Sequence, residues 1–221
     1  MKLLLHELGH SPFCIPVKRI FEAHGIPFES RETSAWDRRK LALITGGAYY
    51  QVPILEYGEQ VIHETPEDPL AVAHFIDHQF LDGVLFPTHC TGIHEIVIAH
   101  IENTLESRGF KLSDPHVVAA MSDLGERVMV IRHKERSFGI GCMDTWKAKA
   151  NSLLRELNLA LEPFEKRLSL EPWLFGESPV YADYALFGIL GNFQYGGHHS
   201  LDPKFKNLHR WQAALIDYTV D

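Results

Sequence analysis

The feature that most constrains the fold is a change of hydrophobic period near residue 83. Upstream, strand-like and helix-like segments alternate; downstream, strand signals nearly vanish and apolar residues recur at helical spacing. Leu3 to Leu5 reads as a short buried strand that ends at Gly9. Ser11 then suits a helix cap, and Pro12 suits the first helical position because it has no N–H to leave unpaired. Phe13, Val17, Ile20, Phe21 and His24 fall on one face of that helix before Gly25 stops it. Ile26 to Ser30 reads as a second strand and Trp36 to Ile44 as a second helix. Val52 to Leu55 and Gln60 to His63 read as a hairpin around Tyr57-Gly58, and Leu70 to Phe80 as a third helix. This order predicts two parallel strands joined by a right-handed crossover, with the hairpin adding antiparallel strands to the same sheet. Further helices are expected over Gly92 to Arg108, Pro115 to about Arg136, Asp144 to Leu170 with a kink at Pro163, Tyr181 to Gln194 and Phe205 to Tyr218. The predicted architecture is therefore an α/β unit over residues 1–82 followed by an all-α unit over residues 86–221.

Composition narrows the classes of function. A chain of 221 residues with 45% apolar and 23% charged side chains can bury a core without disulfide or metal staples. Its formal charge is −8, and its best basic cluster, Arg132 to Arg136, is interrupted by Glu135. That argues against a nucleic-acid or anionic-membrane partner. The apolar opening at Met1 to Leu5 stops at His6 and Glu7, short of a signal peptide, and no run approaches the length of a membrane span. Cys14, Cys90 and Cys142 are too few for a disulfide framework and fit a reducing compartment, so a cytoplasmic protein is expected.

Three short motifs carry chemistry. Ser11-Pro12-Phe13-Cys14 lies where a strand hands over to a helix, so its groups sit at a positive helix N-terminus that favours a thiolate. Taken alone, Ser11 reads as a cap and Cys14 as a core thiol. Gln51-Val52-Pro53 is compatible with a cis bond that would expose the Val52 backbone N–H and C=O to a peptide-like ligand, though an ordinary trans proline is commoner. His63-Glu64-Thr65-Pro66-Glu67-Asp68-Pro69 offers two equivalent helix caps, Thr65 and Asp68, with acids placed to meet an ammonium group. Among the 14 histidines, His94, Glu95 and His100 lack the spacing of the zinc helix motif, and His74 with His78 has no evident third ligand, so no metal is expected. His10, beside Ser11, is the histidine most suited to line a site and titrate near neutrality. Cys90 and His94 are placed either in a pocket or in plain core packing.

The order of these motifs resembles the cytosolic glutathione transferase family. Pro172-Trp173-Leu174-Phe175-Gly176-Glu177, followed by Tyr181-Ala182-Asp183-Tyr184-Ala185-Leu186-Phe187-Gly188, resembles that family's Leu-x-Gly and Ala-Asp-x-x-Leu segments in the helical half. The resemblance implies a thioredoxin-like domain that binds glutathione, an all-helical domain that contributes the pocket for a small hydrophobic electrophile, and a homodimer with a detoxifying activity. It places the catalytic group at Ser11 and implies glutathione contacts from Phe13, Gln51, Val52 before a cis Pro53, Glu64 and Thr65. The chain departs from the family twice. Its third helix starts about one turn late, leaving Glu64-Thr65 or Asp68 as the γ-glutamyl site, and Val180 replaces the expected Ser or Thr cap, with Ser178-Pro179 as a substitute cap. The expected chemistry is activation of the glutathione thiolate at Ser11 without a metal. The alternatives are a non-catalytic binding or assembly module of the same fold, or a glutathione-dependent disulfide reductase acting through Cys14.

Overall fold

The first strand, β1 (Leu3–Glu7), is buried along its whole length, as expected of a strand with neighbours on both sides. The computed structural model describes residues 2–220, so Met1 and Asp221, the outer ends of the two expected units, lie outside the described residues. β1 pairs in parallel with β2 (Glu29–Glu32) across helix α1 (Cys14–Ala23), and antiparallel with β3 (Ile54–Tyr57). A tight turn leads from β3 into β4 (Gln60–Ile62), giving the strand order β2-β1-β3-β4. This is the expected mixed sheet. β2 lies three residues later than expected, because all four of its positions are exposed and it carries no apolar alternation; Ile26 and Phe28 instead pack on the core just ahead of it. Between β2 and β3, helix α2 (Arg39–Ile44) starts after a turn in which Ser34 Oγ accepts from the Trp36 and Asp37 N–H groups. That turn replaces the expected first helical residues.

Helix α3 (Ala71–Ile76) follows Asp68, whose carboxylate accepts the Leu70 N–H at 3.0 Å, and continues through a π-helical turn over Asp77–Leu81. The Asp77 carboxylate then accepts the Leu85 and Phe86 N–H groups at 2.8 and 3.2 Å and fixes the passage into the helical part. There α4 (Thr91–His100), a π-helical turn over Ile101–Leu105 and α5 (Glu106–Ala120) run on without a break through Pro115. The expected interruption between Arg108 and Pro115 is absent. The chain breaks instead at Met121 to Asp123, where Asp123 caps α6 (Leu124–Phe138) by accepting the Glu126 N–H at 2.7 Å. Positive-φ Gly139 and Gly141 turn the chain into α7 (Cys142–Ala148), which is separated at Lys149 from α8 (Ala150–Leu168) rather than fused with it.

The core is organised by α9 (Tyr181–Phe193), most of which is buried, with α10 (Lys206–Asp217) against it. Asp183 is fully buried and accepts from the Leu174 N–H, the Val180 N–H and the Trp211 indole N–H at 3.0, 3.1 and 2.8 Å. It thereby performs the acidic half of a capping box without the hydroxyl half, so Val180, not Ser178-Pro179, is the residue at the cap. Burial raises the Asp183 carboxyl to about 6 despite these donors. Arg19 of α1 donates to the Leu215 carbonyl at 2.7 Å and to the Tyr218 carbonyl, tying the sheet part to the C-terminal helix.

The two parts approach each other tightly at Gly188. A Cβ there would lie 2.1 Å from the Pro12 carbonyl oxygen and 2.6 Å from Pro16 Cδ, whereas one at Gly191 would meet only the flexible Ile15 side chain at 3.1 Å. Gly188→Ala is therefore expected to lower stability by about 3 kcal/mol through overpacking against backbone. Gly191→Ala, offset by the better helix propensity of alanine, should stay within about 1 kcal/mol of the parent. Urea denaturation of the two variants checks this contrast.

Candidate functional site

The start of α1 fixes the centre of the site. Ser11 is buried, and its Oγ accepts the N–H groups of Phe13 and Cys14, each at 3.3 Å. Its carbonyl accepts from Cys14 and Ile15, so Ser11 closes the first turn as a cap. Both of its hydroxyl acceptor positions are used inward, which leaves the O–H proton as a donor. Ser11 lines a cavity of about 460 Å³, within the range of about 300–1,000 Å³ usual for small-molecule pockets.

Four of the expected site residues, Ser11, Phe13, Gln51 and Val52, share this cavity. The Val52–Pro53 bond is cis, and the Val52 backbone N–H and C=O enter no hydrogen bond among the described residues. Val52 thus presents an unpaired donor and acceptor to the same space as the Ser11 hydroxyl. Pro53 and Glu64 line a narrow adjoining recess together with Phe13, Glu102 and Tyr181. The Glu64 carboxylate accepts the Tyr49 hydroxyl at 2.7 Å, and burial holds its carboxyl above the ordinary range. Thr65 lines neither space; its hydroxyl accepts the Asp68 N–H at 3.0 Å. Asp68 is occupied with the Leu70 N–H and with the His74 ring at 2.9 Å. Pro66 to Pro69 therefore forms a turn tied to the start of α3, and Glu64, not Asp68, is the acid of this segment that lines the recess.

The helical part closes the opposite wall with residues that no local motif announces. Glu102, Glu106, Phe110 and Asp114 follow at steps of four along the continuous α4–α5 helix. Glu102 reaches the recess and the other three line the cavity. A four-residue step overshoots a turn by roughly 40°, and this repeat is the one signal in the sequence that would have placed them on a common face. Burial raises both Glu102 and Glu106 to about 7, with the Glu64 charge adding to the effect on Glu102. The Lys134 ammonium lies 2.6 Å from Asp114 Oδ2 and 4.6 Å from the Phe110 ring centre. Arg136 stands 6.0 Å over Trp36 at the rim. Asn192, buried on α9, accepts the Ser113 hydroxyl at 2.8 Å and donates to the His10 carbonyl at 2.7 Å.

Two other residues lie elsewhere. Cys90 lines a separate apolar groove with Ile93, Ile96 and Phe164. His94 is buried, and its Nε2 accepts the Ala182 N–H at 3.1 Å, with burial lowering its pKa to about 4. Core packing is the reading that holds for His94. Among the described residues no group of three or more His, Cys, Asp or Glu side chains is placed to hold a metal ion, and no helix is long and apolar enough to cross a membrane.

Cys14 lies one turn inside α1, fully buried, and desolvation pushes its thiol up to about 12. Cys142 is also buried, whereas Cys90 is partly exposed. An aromatic disulfide reagent added to the native protein is expected to label a single thiol rapidly. Cys90→Ser should abolish that fast phase, and Cys14 and Cys142 should react only on unfolding. A fast phase that survives in Cys90→Ser would contradict this burial pattern.

Residues 141–214 match the family model of the glutathione S-transferase C-terminal domain. A glutathione S-transferase of Ceriporiopsis subvermispora, solved with glutathione, superposes with a TM-score of 0.79 at 17% identity, over 100% of this chain and 99% of that one. Glutaredoxin 2 of Salmonella typhimurium, also solved with glutathione, superposes with a TM-score of 0.73 at 22% identity, over 98% and 94% of the two chains. A glutathione transferase of Phanerochaete chrysosporium gives 0.79 at 13% identity, over 100% and 98%. No curated protein matches the chain in sequence. At these identities the structural likeness is one of fold, and it extends over both parts. The chain has the glutathione S-transferase fold, a mixed four-stranded sheet followed by a helical domain, and its segment 141–214 matches the model of the glutathione S-transferase C-terminal domain.

Proposed function

We propose that the protein is a glutathione-dependent transferase whose Ser11 hydroxyl stabilises the glutathione sulfur as a thiolate for attack on a small electrophile. The observation that carries this reading is the Ser11 side chain itself. Its oxygen accepts the first free N–H groups of α1, its proton remains to be donated, and it faces a cavity of tripeptide scale. In this reading residues 1–82 form the glutathione-binding unit and residues 86–221 supply the acceptor side of the pocket. The unpaired Val52 backbone pair meets the cysteinyl unit, with cis Pro53 shaping the turn and Phe13 walling the pocket. Gln51 meets the glycyl carboxylate. Glu64 takes the γ-glutamyl ammonium in preference to Asp68, which is already committed to the α3 cap and His74, and Thr65 supports Glu64 through the turn it makes with Asp68. The glutathione found in two proteins of the same fold supports the choice of co-substrate.

Stabilising a thiolate by two pKa units requires about 2.7 kcal/mol of preferential interaction. One hydroxyl donor and the positive end of a helix are of that order together. The electron pair on sulfur then forms the new carbon–sulfur bond as the leaving group departs or the acceptor's double bond opens. Direct disulfide chemistry by the protein is disfavoured, because no cysteine lines the cavity among the described residues and Cys14, one turn from Ser11, is sealed in the core with its thiol pushed up to about 12.

Calorimetric titration with glutathione, followed by a conjugation assay with a chlorinated nitrobenzene, tests the proposal. Glutathione is expected to bind. Ser11→Ala should cut kcat/KM by about 10²-fold, the scale of losing one preorganised donor at a developing anion. Cys14→Ala should leave kcat/KM within about threefold, since a core truncation acts on stability. Loss of turnover in Cys14→Ala with Ser11→Ala intact, or reduction of a glutathione mixed disulfide without conjugation, would reverse the assignment.

A further inference from the structure

Ser11 can donate to a thiolate, but it cannot take the proton that a bound thiol must first lose. Both acceptor positions of its oxygen face the Phe13 and Cys14 N–H groups, and a serine hydroxyl is a weak base. We propose that His10, the residue before Ser11, is the general base that removes the glutathione thiol proton, an inference that rests on glutathione being the ligand of this cavity.

His10 lines the same cavity as Ser11. Its backbone is held in place: the buried Asn192 donates to the His10 carbonyl at 2.7 Å and is itself fixed by the buried Ser113 hydroxyl at 2.8 Å. Its ring packs on the Tyr195 ring, 5.6 Å between centres. Neither imidazole nitrogen has a protein hydrogen-bond partner among the described residues, so one remains open to accept a proton from the cavity side. Burial lowers the His10 pKa below 6.5, which keeps the imidazole neutral and basic at neutral pH. The charges that face it come from four elements. Asp114 on α5 and Glu32 at the end of β2 favour the protonated ring, while Lys134 on α6 and Arg38 just before α2 oppose it, with Asp114 the strongest of the four. An imidazolium formed in the reaction is thus favoured by Asp114 across the cavity and opposed by Lys134 beside that carboxylate, so the resting ring stays neutral.

The proton balance closes with the protein's own groups and water. The S–H bond breaks, its electron pair stays on sulfur beneath the Ser11 O–H, and the proton moves to the imidazole. Attack on the acceptor forms the carbon–sulfur bond, a chloride or similar group leaves with its own pair, and the imidazolium returns its proton to solvent. Glu106, raised to about 7 on the opposite wall, is the competing base.

The test compares His10→Gln, His10→Ala and Glu106→Gln with the parent, reading glutathione affinity by calorimetry and kcat/KM against pH. In the parent, kcat/KM should fall as pH drops through a value below 6.5, where His10 becomes protonated. In His10→Gln, affinity for glutathione should be retained and kcat/KM at pH 7 should drop by about 10²-fold, the usual scale of general-base catalysis. Its profile should instead follow ionisation of the bound thiol itself, which Ser11 and the α1 N-terminus still hold below the free value of about 8.5. Added imidazole should restore His10→Ala in part and leave the parent unchanged, a response that a merely structural histidine would not give. The proposal is overturned if His10→Gln keeps the parent profile, or if the acid limb vanishes in Glu106→Gln instead, with glutathione binding intact in both. If the parent itself fails to bind glutathione, the functional reading falls and this one with it.

Discussion

The close approach of α9 to the start of α1 is the constraint on which the site depends. At Gly188 the helix backbone lies so near the Pro12 carbonyl that even a methyl group would collide with it. That contact is made at the residue after Ser11, so the capped helix start cannot shift relative to the helical part without breaking a packed interface. Asn192 is four residues further along the same helix and holds the His10 carbonyl. One face of α9 therefore grips both residues that flank the Ser11 side chain. Asp183, at the other end of the helix, ties α9 to Leu174, Val180 and Trp211 through three buried hydrogen bonds, so the helix that does the gripping is itself immobilised.

A second consequence of this docking is electrostatic. The chain as a whole is acidic, yet the cavity wall gathers Arg38, Lys134 and Arg136 against Glu106 and Asp114. Lys134 is paired with Asp114, and burial raises the Glu106 carboxyl to about 7. The Arg38 and Arg136 charges on this wall have the same sign as the α1 N-terminus. The same arrangement leaves Glu64 and Glu102 facing each other in the recess, two acids whose mutual repulsion a cationic group would relieve.

How much of this was legible depended on how local the cause was. The β-α-β order, the hairpin, the Ser11 cap and the Val52–Pro53 turn are set by residues close together in the chain, and period and turn chemistry reveal them. β2 escapes the sequence pattern because it is an edge strand with four exposed positions and no alternation, while the apolar Ile26 and Phe28 before it pack on the core. The length of the α4–α5 helix is hidden because Pro115 favours a helix start in sequence, whereas here the helix absorbs it, ends at Ala120 and is followed by the Asp123 cap of α6. Thr65 and Asp68 are equivalent as sequence; only their hydrogen bonds show that the Thr65 hydroxyl is spent on the Asp68 N–H and the Asp68 carboxylate on Leu70 and His74. The helical wall of the cavity was least legible, since Glu106, Asp114, Lys134 and Asn192 reach Ser11 only through contacts separated by about a hundred residues or more.

The difference between positions 11 and 14 then follows from a single turn of helix. Position 11 stands outside the first turn, where an oxygen is favoured because it satisfies free N–H groups and still faces the cavity. Position 14 lies inside that turn, packed among Leu41, Val52 and Ile54, where a thiol behaves as a small apolar group and its ionisation is suppressed. A serine at the first position and a cysteine at the second therefore divide two tasks that a single thiol would combine. The cavity keeps a hydrogen-bond donor that cannot form a mixed disulfide, while the sulfur that could form one is held where no disulfide can reach it. The burial of Cys14 is a property of the helix geometry, and under the proposed function it favours chemistry on the ligand's sulfur over chemistry on the protein's own.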